Sequence, residues 1–161
     1  MGGIEVRTAR PDEVDEIGTL TERVYVDGGF AGGSYAAVLR DADARRRDAH
    51  LLVATLDGRI VGTVTLAEAG TPFANLARAG ELEVRMLATA EDVRGHGVAA
   101  ALMDAAEDRA RARGLDGVIL STEPAMHAAH RLYEGRGYVR QPDRDRPWEG
   151  VTLVAYRLPL G

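Results

Sequence analysis

The stretch Arg94-Gly95-His96-Gly97-Val98-Ala99 lies between an apolar run at residues 82–88, which predicts a strand, and apolar residues at helical spacing. A glycine-containing turn followed directly by a helix leaves several backbone N–H groups unpaired and pointing the same way. The helix dipole adds partial positive charge at the same place, so the turn suits a phosphate or pyrophosphate group. We therefore predict a strand, an anion-binding turn and a long helix that ends at Gly114.

This glycine turn does not match two other phosphate-binding motifs. The dinucleotide-binding fingerprint needs an acidic residue closing a second strand about 20 residues further on, and none stands there. A P-loop needs a Gly-Lys-Ser/Thr sequence, which the chain lacks. Taken alone, the turn also fits a plain helix cap at the surface, so its meaning depends on the segments around it.

Those segments resemble a known family. Arg94-x-x-Gly97-x-Ala99 resembles the R/Q-x-x-G-x-G/A turn of the GNAT-superfamily N-acyltransferases, and Leu87-Ala88-Thr89 stands where that family has L-A-V. Further along, Leu132-Tyr133-Glu134-Gly135-Arg136-Gly137-Tyr138 is similar to the family's L-Y-E-K-x-G-F/Y signature. The resemblance extends over residues 4–158. It implies a fold, a cofactor and a reaction type, but no acceptor.

The composition is that of an ordinary globular protein. The chain has 161 residues with a net charge of −5, which predicts a single domain over residues 1–161. No basic stripe indicates a nucleic-acid partner, and no apolar run is long enough to span a membrane. Cysteine is absent, which fits a cytoplasmic protein. The run Arg45-Arg46-Arg47 is predicted to be a solvated helix end, and the sequence leaves open whether the chain forms a homodimer.

The order of predicted elements gives the fold class. Helices are predicted near residues 11–24, 34–39, 98–113 and 125–134, strands at 4–8, 51–56, 59–66, 81–88, 117–122, 138–139 and 151–158, and loops at 69–80 and 140–150. Asp57-Gly58 between two β-rich runs predicts a hairpin. This order predicts an α+β, or mixed α/β, domain with helices on both faces of a central sheet. The resemblance implies a twisted, mostly antiparallel sheet with one splayed strand pair.

The resemblance further implies a binding site for acetyl-CoA. The strand before the turn pairs in that family with the pantetheine arm, and the turn and Arg94 hold the pyrophosphate. The residues implied are Leu87, Ala88, Thr89, Arg94, Gly95, His96, Gly97, Val98, Ala99 and Ala100. Met126 departs from the pattern, since many relatives carry there an Asn that contacts the cofactor. His127 and His130 lack acidic or Cys partners, so a solvated face and no metal site is predicted.

Three side chains are predicted to carry the chemistry. Tyr133, the Tyr of the second signature, is the candidate acid for the leaving thiolate, because a phenol stays protonated at neutral pH. The alternative is an aromatic that only fills the core. Glu81 and Glu83 share a strand face with Arg85, and Glu83 matches an acidic position of the family. Glu83, ahead of Glu81, is therefore the predicted general base, with a polar exposed strand face as the alternative.

The sequence thus predicts transfer of an acetyl group from acetyl-CoA to a primary amine of a small molecule or peptide. The acidic balance fits a cationic acceptor. Two alternatives stay open: an acyl-CoA-binding regulatory or sensor module without turnover, and an interaction domain. Acceptor specificity is expected from residues 26–35, 69–80 and 140–150, because loops carry recognition. Candidate lining residues are Tyr25, Phe30, Phe73 and Trp148.

Overall fold

A computed structural model of the protein describes residues 3–30 and 34–161. The strands are β1 (Ile4–Thr8), β2 (His50–Leu56), β3 (Arg59–Glu68), β4 (Glu81–Thr89), β5 (Gly117–Thr122), β6 (Val139–Arg140), β7 (Arg146–Trp148) and β8 (Val151–Pro159). The helices are α1 (Val14–Asp27), α2 (Ser34–Arg40), α3 (Ala42–Asp48), α4 (Val98–Ala112) and α5 (His127–Gly135). Short 3-10 turns lie at Pro11–Glu13, Glu91–Val93 and Pro142–Arg144. None of the described helices is long and apolar enough to cross a bilayer.

The strands form one mostly antiparallel sheet in the order β1-β2-β3-β4-β5-β8-β6, with β7 paired to β8. Among the strands of the described residues, only β4 and β5 run parallel. The β2–β3 hairpin turns at Asp57 and Gly58, which both have positive φ, as a tight two-residue hairpin turn requires. The predicted mixed α/β fold with a mostly antiparallel sheet is confirmed.

Helices cover both faces of this sheet, as the residues of β2 show. Alternate side chains of a strand point to opposite sides, and those of β2 pack against different helices. Leu52 and Ala54 belong to the core cluster that includes the buried face of α4. Leu51 and Val53 instead pack with residues of α1 and α3. At Gly62 in β3 a Cβ would lie 2.7 Å from Val98 Cγ1, so glycine allows the first turn of α4 to approach the sheet closely.

The parallel pair β4–β5 separates part-way along its length. Pairing runs only from Glu81↔Gly117 to Glu83↔Ile119, although both strands continue beyond it. On its other edge β4 carries a bulge, because Thr63 pairs with Ala88 while Thr65 pairs with Arg85. Met86 inside the bulge has φ of 55°, which is unusual for a residue other than glycine. The splayed strand pair that the resemblance implied is therefore present.

Two local expectations are corrected by the structure. The predicted polar loop at 140–150 contains the strand β7, which pairs with β8 from Arg146↔Leu153 to Trp148↔Val151. The predicted solvated end at Arg45 is wrong for that residue, which is 0% exposed. Helix α3 packs against α1 and β2. The Arg45 guanidinium donates a hydrogen bond of 2.9 Å to the Val38 carbonyl. Sequence spacing alone did not show that α3 packs inward.

Candidate active site

The separation of β4 from β5 opens a cleft of about 860 Å³. Its walls come from the splayed strand ends, the first turns of α4 and α5, the end of α1 and the hairpin β7–β8. The lining includes nine of the residues predicted to bind the cofactor: Leu87, Ala88, Thr89, Arg94, Gly95, Gly97, Val98, Ala99 and Ala100. Tyr133 lies on the same walls. The tertiary structure thus brings both sequence signatures to one place.

The glycine turn at the start of α4 is open and uncapped. Gly95 and Gly97 have φ of 83° and 84°, and no protein atom lies within 4 Å of where a Cβ would be. No side chain caps α4, so the N–H groups of its first turn have no partner within the helix. Open space over an uncapped helix end of this kind is the geometry that receives a phosphate group.

His96 stands apart from the other turn residues. Its backbone N–H donates to the Val93 carbonyl at 3.1 Å, and its side chain is exposed rather than part of the cleft wall. The structure therefore lends no support to the contact predicted for His96. Arg94 lines the cleft and forms no ion pair within the described part of the chain, so its guanidinium is free to meet an anion.

The splayed half of β4 presents backbone that β5 does not pair. Leu87, Ala88 and Thr89 lie on the cleft wall beyond the last β4–β5 pair. The Leu87 carbonyl accepts a hydrogen bond of 3.1 Å from the Tyr25 hydroxyl, which fixes the bulged backbone. Burial raises the pKa of Tyr25, so this hydroxyl remains a donor at neutral pH. The remaining edge can accept an extended ligand as an added strand would pair.

Tyr133 occupies the side of α5 that faces the cleft. Its residue is 6% exposed, and its hydroxyl has no hydrogen-bond partner among residues 3–30 and 34–161. Burial raises the pKa of Tyr133, which keeps the phenol protonated at neutral pH. The ring also packs against those of Tyr138 and Tyr156, with centroids 5.7 and 6.3 Å away. The ring of Tyr133 therefore packs in the core, while its hydroxyl keeps a proton that no described residue accepts.

Glu81 lies outside the cleft, in a cluster of arginines. Arg144 donates to both of its carboxylate oxygens, at 2.7 and 2.8 Å, and Arg157 donates to one at 2.7 Å. Burial alone would raise the pKa of Glu81, but these hydrogen bonds and one from the Arg78 N–H lower it to about 2. A carboxylate so stabilised is a weak proton acceptor, and this geometry argues against a general-base role for Glu81.

Glu83 also lies off the cleft wall, where it anchors a loop. Its Oε1 accepts hydrogen bonds from the N–H groups of Asn75, Leu76 and Ala77 at 2.8, 2.7 and 3.0 Å. The residue is 2% exposed. Together with the contacts of Glu81 and Arg85 to the same loop, this shows that the shared strand face is covered by residues 73–78. The alternative of an exposed polar face is therefore wrong.

The acceptor-lining residues predicted from sequence are placed unequally. Tyr25, Phe30 and Trp148 line the cleft, whereas Phe73 does not; the Phe73 carbonyl accepts a 3.2 Å hydrogen bond from Arg85. Part of the predicted region 26–35, residues 31–33, lies outside the described residues. The cleft therefore has an aromatic portion that is separate from the glycine turn.

Sequence reasoning gave no lining role to Arg85 or Glu123, whereas Tyr35 and Arg146 lie within the regions 26–35 and 140–150 that were expected to select the acceptor. Glu123 follows β5, and burial raises the pKa of its carboxyl. The sequence offered one signal for Glu123. It directly follows the predicted strand at 117–122, shortly before the second signature. Arg146 was not singled out within region 140–150, because the strand β7 that carries it was not predicted.

The neighbourhood of Met126 agrees with the departure noted in the sequence. Met126 lines the cleft, and its sulfur accepts a 3.4 Å hydrogen bond from the Thr122 hydroxyl, so no amide is offered there. His127 is exposed as predicted, but His130 is half-buried and its Nε2 lies 3.0 Å from the Glu123 carbonyl oxygen. Within the described residues no group of three or more His, Cys, Asp or Glu side chains is placed to hold a metal.

Comparison with known proteins decides the family. Residues 15–138 match the model of the acetyltransferase (GNAT) family. The chain belongs to this family. Membership makes this GNAT protein an acetyltransferase, which confirms the enzyme class that the two signatures predicted. The match contains β4, the glycine turn and Tyr133, so it covers the cleft's principal parts.

Relatives of this GNAT acetyltransferase support the same fold. An acetyltransferase of the GNAT family from Staphylococcus aureus Mu50 superposes with a TM-score of 0.78 at 13% identity, covering 99% of this chain and 100% of that one. The structure of yncA from Salmonella typhimurium with acetyl-CoA gives 0.73 at 16% identity, with coverage of 99% and 95%. N-alpha-acetyltransferase 30 of Saccharomyces cerevisiae is 40% identical over 57 residues, 35% of this chain and 32% of that protein. The matched segment thus spans about a third of that relative's length.

Proposed function

We propose that this acetyltransferase moves an acetyl group from acetyl-CoA to a primary amine by direct attack on the thioester. The observation that carries the proposal is the open glycine turn at the uncapped start of α4, which continues into the splayed edge of β4. A pyrophosphate and an extended arm of one ligand fit these two surfaces together. That the similar yncA structure contains acetyl-CoA supports this identity of the ligand.

The residues present fit such a ligand. The N–H groups of Gly95 and of residues 97–100, with Arg94, would hold the pyrophosphate, and the backbone of residues 87–89 would pair with the pantetheine arm. The space that a Cβ would fill at Gly97 is open. Acetyl-CoA supplies the acetyl group as a thioester, which a neutral amine attacks readily once both are held in place.

Tyr133 is the proposed acid of this reaction. The amine nitrogen bonds to the thioester carbonyl carbon, the carbon–sulfur bond breaks, and the departing sulfur takes the phenolic proton. The nitrogen then gives up one proton as it becomes the amide, and that proton restores the phenol. The free hydroxyl of Tyr133 on the cleft wall, kept protonated by burial, supports this role. The acceptor loses its own proton before attack. The base role predicted for Glu83 stays a prediction, although the three N–H groups on its oxygen favour a structural role.

The primary-amine acceptor and the cytoplasmic location remain predictions of the sequence, which leaves the oligomeric state open. Either a small molecule or a peptide supplies the amine in this proposal. An acyl-CoA sensor without turnover is the competing outcome, and it differs in releasing no thiol.

The substitution Gly97→Val tests the proposed function. Valine is strained at the φ of 84° and its side chain would fill the pyrophosphate cradle, so CoA affinity should fall by at least about 10-fold. Gly70→Val is the matched control, because Gly70 has the same φ of 84° and open surroundings but lies off the cleft. Calorimetry with CoA and thiol release from acetyl-CoA with an amine panel are the measurements.

Equal CoA affinity in Gly97→Val and Gly70→Val would overturn the proposed site. CoA binding without thiol release for any amine of the panel would instead identify the sensor.

A further inference from the structure

The charges that line the cleft are unbalanced. Within the described residues its walls contain three arginines and one carboxylate, namely Arg85, Arg94 and Arg146 against Glu123. Arg94 belongs to the turn proposed for the pyrophosphate. Arg85 and Arg146 instead stand beside the aromatic portion of the cleft, which the proposed CoA site does not use. They are therefore available to the second substrate.

Arg85 is half-buried and has only neutral partners. Its Nη1 donates to the Phe73 carbonyl at 3.2 Å and its Nη2 to the Tyr35 hydroxyl at 3.3 Å. Neither partner carries charge, and no carboxylate of the described residues lies within ion-pair distance of this guanidinium. A partly desolvated cation without a counter-charge is costly, and an arriving anion would remove that cost.

Arg146 is unpaired as well. Its Nε is buried without a hydrogen-bond partner, and no ion pair involves its side chain in the described part of the chain. Neighbouring arginines of the same hairpin region behave differently, because Arg140 pairs with Asp145 and Arg144 with Glu81. The hairpin region therefore provides carboxylate partners for Arg140 and Arg144, which lie off the cleft, and none for Arg146, which lines it.

A third arginine adds to this positive field. Arg45 is fully buried and donates to the Val38 carbonyl, but no carboxylate accepts from it. Burial, with the nearby charge of Arg85, lowers the pKa of Arg45 to about 10. At neutral pH the guanidinium stays charged, so a third cation lies near Arg85 and the Tyr35 ring, although Arg45 itself does not line the cleft.

Aromatic side chains surround these charges. The Tyr35 ring, whose hydroxyl accepts from Arg85, packs edge-on against Trp148 with centroids 4.7 Å apart. Phe30 and Tyr25 line the same portion. Tyr25 connects this portion to the splayed strand, since its hydroxyl donates to the Leu87 carbonyl at 3.1 Å, and Tyr133 lines the same cleft. A cationic site, an apolar wall and the proposed acid thus border one volume.

From this arrangement we infer that the acceptor amine also carries a carboxylate, as a free α-amino acid with an apolar or aromatic side chain does. The inference rests on the proposed function and names its acceptor class. Arg85, with Arg146, binds the carboxylate through charge-assisted hydrogen bonds, and the aromatic wall takes the side chain. Polyamines and aminoglycosides are disfavoured, because their additional ammonium groups would face the same arginines.

The test compares amines that differ only in the carboxylate. L-Phenylalanine is paired with phenethylamine, L-tryptophan with tryptamine and L-methionine with 3-(methylthio)propylamine, and spermidine represents polycations. Binding to the CoA-loaded protein is measured by calorimetry, and turnover by thiol release from acetyl-CoA. For at least one pair the amino acid should be favoured by about 10- to 100-fold in affinity and in kcat/KM, as charge-assisted hydrogen bonds to a carboxylate allow.

Arg85→Met and Arg146→Met should each reduce that preference while leaving the affinity for CoA unchanged. Arg131→Gln is the control. Arg131 is exposed on α5 and does not line the cleft, so this substitution removes one positive charge away from the proposed site. It should keep the full preference. Using two separate arginines keeps the test informative if one variant does not fold.

The outcomes separate this inference from the proposed function. The inference would be overturned if the protein acetylated the decarboxylated amines, spermidine or peptide N-termini in preference to amino acids. The proposed acetyl transfer would still hold in that case. Loss of CoA affinity in Arg85→Met would also overturn it, because Arg85 would then serve the cofactor. Absence of CoA binding and of thiol release would reject the proposed function and the inference with it.

Discussion

The two halves of β4 differ in what their side chains and backbone contact. In the half paired with β5, Glu81 and Glu83 are buried and saturated by arginines or loop N–H groups. In the splayed half, Leu87 to Thr89 leave backbone facing an open cleft, and Arg85 lies at the boundary with neutral partners only. Glu81 and Glu83 thus hold the loop at residues 73–78 in place, while the splayed half of β4 offers the surface proposed to bind the cofactor.

Glu81→Gln should have the largest effect, on stability. It leaves the buried guanidinium of Arg144 without a carboxylate partner. Removing one member of a buried ion pair costs about 3 to 5 kcal/mol of stability. The pKa of Glu81 is about 2 in the folded protein against an ordinary 4.5, so its stabilisation is full above about pH 5 and is lost as the pH falls toward 2. Denaturant unfolding from pH 7 to pH 3 measures this.

The wild-type protein should therefore lose stability with acid more steeply than Glu81→Gln. Glu5→Gln is the control, since that carboxylate is 70% exposed and its contact with Arg7 is a weak surface ion pair. Equal stability of Glu81→Gln and Glu5→Gln at pH 7 would show that the arginine cluster does not stabilise this half of the strand.

Tyr133→Phe should have the next largest effect, on turnover. Loss of the phenolic proton should lower kcat by about 100-fold, the low end for general acid catalysis, with CoA affinity little changed. Steady-state rates and CoA titrations measure both quantities. Tyr156→Phe is the control, because its ring packs beside Tyr133 while its hydroxyl donates to Glu134 outside the cleft. Wild-type turnover in Tyr133→Phe at every pH would leave Tyr133 as a packing residue.

Glu83→Gln should have the smallest effect of the three. The amide oxygen still accepts from the loop, so the loss of charge should cost about 1 to 2 kcal/mol of stability. The acidic limb of the kcat/KM profile should be unchanged if Glu83 only anchors the loop. Disappearance of that limb in Glu83→Gln, and its persistence in Glu123→Gln on the cleft wall, would instead make Glu83 the base.

Local patterns predicted most of the fold, and the cleft shows where they stop. The hairpin at Asp57-Gly58, the open turn before α4 and the end of α4 at Gly114 follow from glycine conformation and apolar spacing, and the structure has each of them. The short strand β7 was missed because its three residues carry no periodic signal and depend on pairing with β8. The burial of Arg45 was missed because it follows from the packing of α3 against α1.

By itself the sequence determined the family's two signatures, the glycine turn and Tyr133, because these depend on residue types at fixed spacing. It also determined that Glu81, Glu83 and Arg85 share one strand face, because side chains alternate along a strand. Only the tertiary structure decided what covers that face. The loop at residues 73–78 needs acceptors for its N–H groups and finds them in the two carboxylates. Arg85 and Arg146 are left without carboxylates beside the cleft, because the chain folds the available acids against other partners.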